Sequence, residues 1–417
     1  MTTATRSRTL RPSAVMRGED ERVTPLELFF DLVFVLAVTQ CTALMAANPT
    51  WAGLAKGLLV LAVLWWSWVG YAWLTSVVDP EEGIVRIAMF AAMAAFLVAA
   101  LCVPEAFDDT ALLFACSYGM VRVAHIALFL VASRDDTALR RSVVGLGVST
   151  AIGVGILIAA SATDHALQGV LWGLALQLDM AGPLLFGAGG WKLVPGHFAE
   201  RHGLIIIIAL GESIVAIGVG AGAGIDVGVV AAAVLGMAVA ATQWWMYFDV
   251  VALVAARRLS RAAEGRERNE LARDSYSFLH FPMVAGIVLV ALGMKKTLGH
   301  VEDPLGLVPT VALLGGSALY LLGHVAFRWR NLHTLNRRRL ACAMVLVALV
   351  PAGVGLPSLA TVAILAAVLS ALVAYEALRF GEARDRIRHQ LAGEQAMVQA
   401  EVVDAAVEAH AGSQRPG

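Results

Sequence analysis

Charged residues are scarce in this chain of 417 residues. Asp, Glu, Lys and Arg together make up 15% of it, whereas 59% of the residues are hydrophobic. A soluble domain carries about 25% charged residues, so the composition excludes an ordinary soluble protein and indicates a membrane protein. The formal net charge is −1, and we expect no nucleic-acid partner.

Sequence motifs for cofactors and metals are also missing. The chain has four cysteines, and none of them stands in CxxC spacing, so a metal or redox role has no support. It has no HExxH motif, no clustered histidines and no Walker nucleotide loop. We therefore expect no metal and no cofactor, and transport, if it occurs, is secondary or passive.

Long apolar segments are abundant instead. A helix of about 20 apolar residues crosses a hydrocarbon core of roughly 30 Å, and twelve segments of that kind follow one another. They are 25–46, 53–78, 84–103, 111–133, 142–162, 166–187, 202–222, 226–255, 271–293, 307–328, 339–355 and 358–378. The first contains Glu27 and Asp31, unlike the uncharged core of a cleaved signal peptide. The sequence therefore predicts an all-α, polytopic membrane protein with about twelve transmembrane helices.

Arginine is concentrated in alternate loops between these segments. The arginine-rich stretches are 1–24, 79–83, 134–141, 188–201, 256–270, 329–338 and the carboxyl-terminal tail. The opposite loops contain almost no basic residues, with Lys295 and Lys296 as the main exceptions. The positive-inside rule then predicts that both termini are cytoplasmic, which requires an even number of spans.

Paired markers indicate an internal duplication. They are Glu21 and Arg22 with Glu200 and Arg201, Trp65 and Trp66 with Trp244 and Trp245, His125 with His324, and Arg140 and Arg141 with Arg337 and Arg338. We predict two six-helix repeats, 25–190 and 191–380, between a cytoplasmic segment 1–24 and a cytoplasmic tail 381–417. An even number of helices gives both repeats one orientation, as in parallel-repeat transporters, with a pathway at their interface.

Three carboxylates inside predicted spans are candidate site residues. A charge at the bilayer centre costs roughly 2.5–3.5 kcal/mol on insertion scales, so such residues face the bundle interior and have partners. Asp31 lies about two turns into its helix and is a functional candidate, whereas Glu27 is either a second candidate or an acid at the helix amino terminus. Glu212 stands beside Gly211 and Ser213, which predicts a site or a glycine-rich packing face with one hydrogen-bonded acid.

Arg122 and His125 lie three residues apart in the fourth span and therefore share a helix face. A guanidinium does not lose its proton, so Arg122 is the expected counter-charge of Asp31 or Glu212. Both a structural ion pair and a transport relay fit this pattern.

Tyr276 and His280 are four residues apart in the ninth span, and His324 lies in the tenth. A single buried histidine is commonly a hydrogen-bonded core residue. Three histidines together with two acids fit a proton relay, because histidine titrates nearest to physiological pH. They also fit a metal site, which the missing metal motifs disfavour. Three further acids are expected near cytoplasmic helix ends, namely Asp179, Asp249 and Glu376. For Asp249 and Glu376 we favour an interfacial role.

Seven segments, in order, resemble one known family. They are ERVTPLELFFDLVFVLAVTQ, WWSWVGYAW, VPEAF, VRVAHIALF, HFAERHGLIIIIALGESIVAIG, QWWMYFD and YSFLHFPMVAGIVLVALG. Over about residues 20–390 the chain resembles the bacterial low temperature requirement protein A (LtrA) family. The resemblance implies a protein of the bacterial inner membrane whose biochemical activity is poorly defined. It marks Glu27, Asp31, Glu200, Arg201, Glu212, Tyr276 and His280.

Three classes of function fit these features. The leading one is a secondary transporter or ion channel for a small ion or molecule, with the first and seventh helices along a central path. The second is a membrane-embedded enzyme that acts on a lipid or prenyl substrate with an acid and a histidine. The third is a structural or regulatory membrane protein. The lipid bilayer is the expected partner of all three classes. The sequence leaves open whether the protein forms a homo-oligomer.

Overall fold

The fold is known from a computed structural model that describes residues 22–81, 83–185, 190–221 and 224–413. Every named element in these ranges is helical, which confirms the all-α prediction. Most of the predicted amino-terminal segment, residues 1–21, lies outside the described residues, as do residues 414–417 at the end of the predicted tail.

We number the helices α1 to α13 in chain order. They are α1 Pro25–Ala47, α2 Trp51–Thr75, α3 Gly83–Cys102, α4 Ala111–Ala132, α5 Thr137–Ala160, α6 His165–Leu185, α7 Pro195–Gly220, α8 Val227–Phe248, α9 Val251–Arg261, α10 Arg266–Gly299, α11 Leu307–Leu332, α12 Arg337–Gly355 and α13 Ser358–Ser413. The predicted tail therefore begins as a continuation of α13.

Eleven helical stretches in the described residues are long and apolar enough to cross a membrane. Since α8 and α9 form one of them, the predicted sixth span, α6, is the one that does not qualify. Gln168, Gln177 and Asp179 lower its hydropathy, although the helix lies where the sequence predicts it. α6 packs along α5 and contacts α2, with Gln168 and Asp179 buried against protein.

The start of α1 follows from its first residues. Thr24 accepts a hydrogen bond from the Glu27 backbone N–H, and the Glu27 carboxylate accepts one from the Thr24 backbone N–H. This reciprocal capping box satisfies two backbone donors that a helix start leaves without partners. It places Glu27 in the first turn, as expected, and the Glu27 side chain is fully buried in protein.

The start of α7 differs from the prediction. The predicted span begins at residue 202 because Glu200 and Arg201 are charged, whereas the helix begins at Pro195. Proline suits the first helical position because its missing N–H is not needed there. The extra two turns bring His197 and Arg201 into the helix, and both side chains are buried.

Four helices meet at the centre of the bundle. α1 contacts α2, α7 and α10, while α10 packs along α7 and also contacts α2. Asp31 of α1 binds Arg201 of α7, and Thr39 further along α1 binds Glu212 further along α7. α1 and α7 therefore run in the same direction. This is the direction that parallel six-helix repeats require, and the duplication itself stays a prediction.

Loops that are predicted to lie on one side of the membrane touch each other. The contacts are Val194 N–H to Ser76 Oγ at 3.0 Å, Asn269 Nδ2 to the Trp191 carbonyl at 2.7 Å, and Lys192 Nζ to Asp136 Oδ2 at 3.4 Å. A backbone hydrogen bond from Leu139, together with Lys192, lowers the pKa of the Asp136 carboxyl. The packing is thus compatible with the predicted placement of alternate loops on one side of the membrane. Which side faces the cytoplasm stays a prediction.

Candidate functional site

A buried ion-pair cluster joins α1, α2 and α7. Arg201 Nη1 donates to Glu27 Oε1 at 3.0 Å and to Thr75 Oγ1 at 3.1 Å, and its Nη2 donates to Asp31 Oδ1 at 2.7 Å. His197 Nε2 lies 2.9 Å from Glu27 Oε1. We call these five residues the Arg201 cluster. Arg201 thus takes the role of counter-charge to Asp31 that the sequence analysis assigned to Arg122.

The Arg201 cluster contains two carboxylates and one guanidinium. Since a buried charge needs compensation, the cluster is neutral only when one further proton resides on His197 or on a carboxyl group. The Trp68 indole donates to Asp31 Oδ1 at 2.8 Å, while Asp31 Oδ2 has no hydrogen-bond partner among the described residues. The arrangement can therefore bind a proton or hold helices together.

Arg122 belongs to a different cluster, so its predicted pairing with Asp31 or Glu212 is wrong. Arg122 Nη2 donates to Asp179 Oδ1 at 2.8 Å and to Thr150 Oγ1 at 2.9 Å. Tyr118 also donates to Asp179, at 2.7 Å. α4, which carries Arg122, packs on α2, α3 and α5. The Arg122 guanidinium therefore binds residues of α5 and α6. Asp179 is an interior partner and not an acid at a helix end.

Glu212 lies between α7 and α1 and is 2% exposed. Thr39 Oγ1 donates to Glu212 Oε2 at 2.5 Å. Lys295 of α10 acts on this carboxylate electrostatically, but no salt bridge to Glu212 occurs within the described ranges. Gly220 of α7 packs closely on α10, since an added Cβ there would lie 2.9 Å from the Lys295 carbonyl oxygen, whereas an added Cβ at Gly211, beside Glu212, would meet no atom within 4 Å.

Tyr276 and His280 stack face to face at the centre, with ring centroids 5.1 Å apart. His280 Nδ1 lies 3.1 Å from the Ser275 carbonyl oxygen, so this nitrogen carries the proton. Nε2 then accepts a hydrogen bond from the Tyr247 hydroxyl at 2.8 Å. His280 is thus a neutral, hydrogen-bonded core histidine, whereas the buried Tyr276 hydroxyl has no partner in the described structure.

His202 connects this pair to the Arg201 cluster. Its ring lies edge-on to Trp68 at 5.1 Å and to His280 at 5.2 Å between centroids. Its Nδ1 bonds the Phe198 carbonyl at 2.8 Å, and its Nε2 has no partner within the described residues. The sequence analysis missed His202 and His197. The signal for His197 was its spacing of four residues before Arg201, which puts both on one helix face.

His324 lies at a second buried arginine. Arg339 Nη1 lies 3.1 Å from His324 Nδ1, which therefore accepts, and Arg339 Nη2 donates to Glu376 at 2.9 Å. Arg384 also binds Glu376, at 2.9 Å. Glu376 is thus a buried ion-pair partner and not an interfacial acid. His324 and His280 both lie edge-on to Tyr247, with ring centroids 5.9 and 5.7 Å from it.

Two of the predicted site residues stand apart from these clusters. His125 lines a separate cleft with Arg122. Glu200 is exposed and accepts a hydrogen bond from the Val23 backbone N–H at 3.3 Å. The remaining interior acids bind arginine or hydroxyl groups, and the described part of the chain contains no group of three or more His, Cys, Asp or Glu that could hold a metal ion.

Comparison with known proteins assigns the chain to a family. Residues 22–374 match the family model of the bacterial low temperature requirement A protein (LtrA). The chain is also 30% identical over 308 residues to Uncharacterized protein RA0937 of Rhizobium meliloti (strain 1021), covering 71% of this chain and 75% of that protein. No solved structure matches it. With its many apolar helices, the chain is a multi-pass membrane protein that belongs to the bacterial LtrA family.

Proposed function

We propose that this protein is a secondary transporter whose path follows the interface of α1, α7 and α10, with Glu212 as the group that binds and releases a proton. The observation that carries this proposal is the setting of Glu212. It is a buried carboxylate that has a hydroxyl partner, Thr39, and no salt bridge within the described ranges.

The contrast with the other interior acids is physical. Asp31 is bound by Arg201 and Asp179 by Arg122, and a guanidinium keeps its charge in a protein. Glu212 has no such partner, and in a low-dielectric interior its neutral, protonated form is favoured. The Thr39 hydroxyl both donates and accepts hydrogen bonds, so it can serve either form. A proton can thus leave Glu212 when water reaches it and return when water withdraws.

Two polar levels along α1 and α7 are separated by an apolar layer. Asp31 and Arg201 form one level, and Thr39 and Glu212 form the other. Between them lie side chains that are essentially inaccessible to solvent, among them Phe34. This layer leaves no continuous aqueous route between the levels. A path that opens to one side at a time fits this packing better than a permanently open channel.

The orientation is part of the same proposal. We place both termini in the cytoplasm, following the arginine-rich loops. The Arg201 cluster then lies toward the cytoplasmic side of α7, and Glu212 lies nearer the opposite side. A proton from outside would meet Glu212 before the Arg201 cluster.

The other classes of function have less support. The enzyme alternative needs an acid and a histidine around a substrate cavity, whereas Asp31 is held by Arg201 and Trp68. The structural alternative fits the Arg201 cluster well. It does not account for Glu212. This residue joins two helices, but a buried carboxylate without a salt bridge is an unfavourable way to do so.

Glu212→Gln tests the proposal. The amide keeps the shape and the hydrogen bond to Thr39 but cannot exchange a proton. In proteoliposomes that contain a pH-sensitive dye, we expect proton uptake driven by Na⁺, K⁺ or a bacterial metabolite extract to fall at least about tenfold, equivalent to about 1.4 kcal/mol. Infrared difference spectra on a pH change should also lose one protonated-carboxyl band.

The matched control is Glu200→Gln, which alters an exposed acid on the same helix and should leave both signals unchanged. Wild-type yield and thermal unfolding in Glu212→Gln would show that the fold is intact. Equal proton uptake and equal infrared bands in the two variants would remove Glu212 from the mechanism. Loss of folding in Glu212→Gln would instead favour the structural class.

A further inference from the structure

A cleft with a cavity volume of about 50 Å³ lies between α2, α4 and α10, apart from the proposed path. Each helix contributes one stripe of side chains, within 66–73, 122–129 and 269–277, spaced by three or four residues. That spacing puts the side chains of each stripe on one helix face.

Two buried side chains in this cleft have polar atoms without partners. At most one ring nitrogen of His125 has a partner within the described residues, namely the Gly70 backbone, and the Trp66 indole nitrogen has none. His125 is 1% exposed and Trp66 is 4% exposed. The His125 ring lies against the Gly70 backbone. Since buried polar groups are nearly always hydrogen-bonded, such atoms point to a missing ligand.

The charges around the cleft favour an anion. Arg122 and Arg273 line it, and none of its lining residues is Asp or Glu. Arg273 binds Asp274, but the same carboxylate also binds Arg330 at 3.0 Å. Two guanidiniums thus share one carboxylate, which leaves one positive charge unmatched at this end. Guanidinium groups match the geometry of carboxylate and phosphate oxygens.

The remaining lining indicates an apolar body. Phe129, Leu146 and the aromatic rings of Trp73 and Trp191 form the walls. Gly70 leaves room at the floor, because an added Cβ there would lie 2.9 Å from His125 Cε1 and 3.0 Å from Arg122 Nη1. A small residue at this position therefore allows both side chains to reach the cleft.

We propose that this cleft binds an amphiphilic anion, with a carboxylate or phosphate head at the arginines and the unpartnered N–H groups and an apolar body against the aromatic walls. This inference does not depend on proton transport. Two sources share this chemistry, a free medium-chain carboxylate and the head group of an anionic phospholipid.

Tryptophan fluorescence of the detergent-solubilised full chain tests the site, because three tryptophans line it. The probes are decanoate and dioctanoyl phosphatidylglycerol, with decanol as the neutral analogue and inorganic phosphate as the head alone. We expect saturable quenching with at least one of the first two, and binding at least about tenfold weaker for decanol and for phosphate. Decanoate alone would indicate a free carboxylate ligand, and phosphatidylglycerol alone a lipid.

Arg273→Gln should weaken binding of the anion at least about tenfold, because it removes the unmatched charge. Arg266→Gln is the matched control, since Arg266 precedes Arg273 on α10, is exposed and binds Glu270 outside the cleft. If Arg273→Gln does not fold, Trp66→Phe removes one unpartnered donor and leaves two tryptophans as reporters. Decanol binding as tightly as decanoate, or equal losses in the two arginine variants, would overturn the proposal.

The transport proposal fails separately. Glu212→Gln lies outside the cleft and should bind the anion with wild-type affinity. If the wild-type protein binds the anion but shows no proton uptake, the cleft is retained and the transporter is rejected. Proton uptake without saturable quenching would do the opposite.

Discussion

Replacing Arg201 with methionine is expected to lower the free energy of unfolding by about 3–5 kcal/mol, the usual cost of removing one partner from a buried ion pair. Glu27 and Asp31 would both lose their guanidinium donor in a site that is inaccessible to solvent. Methionine fills most of the volume, so the loss would reflect charge and not a cavity. Unfolding by SDS titration in mixed micelles measures the effect.

Neutralising the acids should reverse this loss. In the triple variant Arg201→Met, Glu27→Gln and Asp31→Asn, the unpaired charges are gone, and we expect most of the stability to return. Arg140→Met is the control, because this arginine is exposed at the start of α5 and its removal should change little. A loss in the triple variant as large as in the single one would show that the cluster does not act through charge.

Asp179→Leu is expected to destabilise the protein by a similar amount, about 3–5 kcal/mol. Arg122 would stay charged and buried, and the hydroxyls of Tyr118 and Thr150 would lose their acceptor. Each of these effects acts on the contacts between α4, α5 and α6. The same SDS titration measures the change, and reduced monodispersity in size-exclusion chromatography should accompany it.

The double variant Asp179→Leu and Arg122→Leu should be close to wild-type stability, because an apolar pair replaces a buried ion pair at little net cost. Asp135→Leu removes an exposed acid before α5 and serves as the control. If Asp179→Leu and Asp135→Leu were equally harmless, the Arg122–Asp179 contact would have no part in stability.

These stability tests also bear on function. The acids bound by arginine are expected to respond mainly through stability. Glu212 is expected to respond through proton uptake, because it has no arginine to lose. The two kinds of response separate residues that fasten helices together from a residue that exchanges a proton.

The sequence predicted the helices well because the cost of exposing the backbone to hydrocarbon acts on each segment separately. The first helix ends one residue beyond its predicted boundary. The predictions failed where polar side chains face protein. Arg201 was left outside the seventh span, whereas the structure places it inside α7 with a buried side chain.

The candidate site was predicted only in part. Asp31, Glu212 and Arg122 are all interior residues, as expected, yet Arg122 binds Asp179 and Arg201 binds Asp31. Periodicity shows which residues share a helix face, but it does not show which helix lies opposite. His202 was missed for the same reason, since its role depends on the rings of α2 and α10 around it.

By itself, the sequence determined the membrane class, the places of the helices and the acids that must avoid lipid. These follow from the transfer of single segments and single charges out of water, which depends on local composition. The tertiary structure alone decided which base neutralises which acid and which carboxylate lacks a salt bridge. A charge-assisted hydrogen bond is short, typically about 2.7–2.9 Å, so the pairing depends on the neighbours and register of each helix.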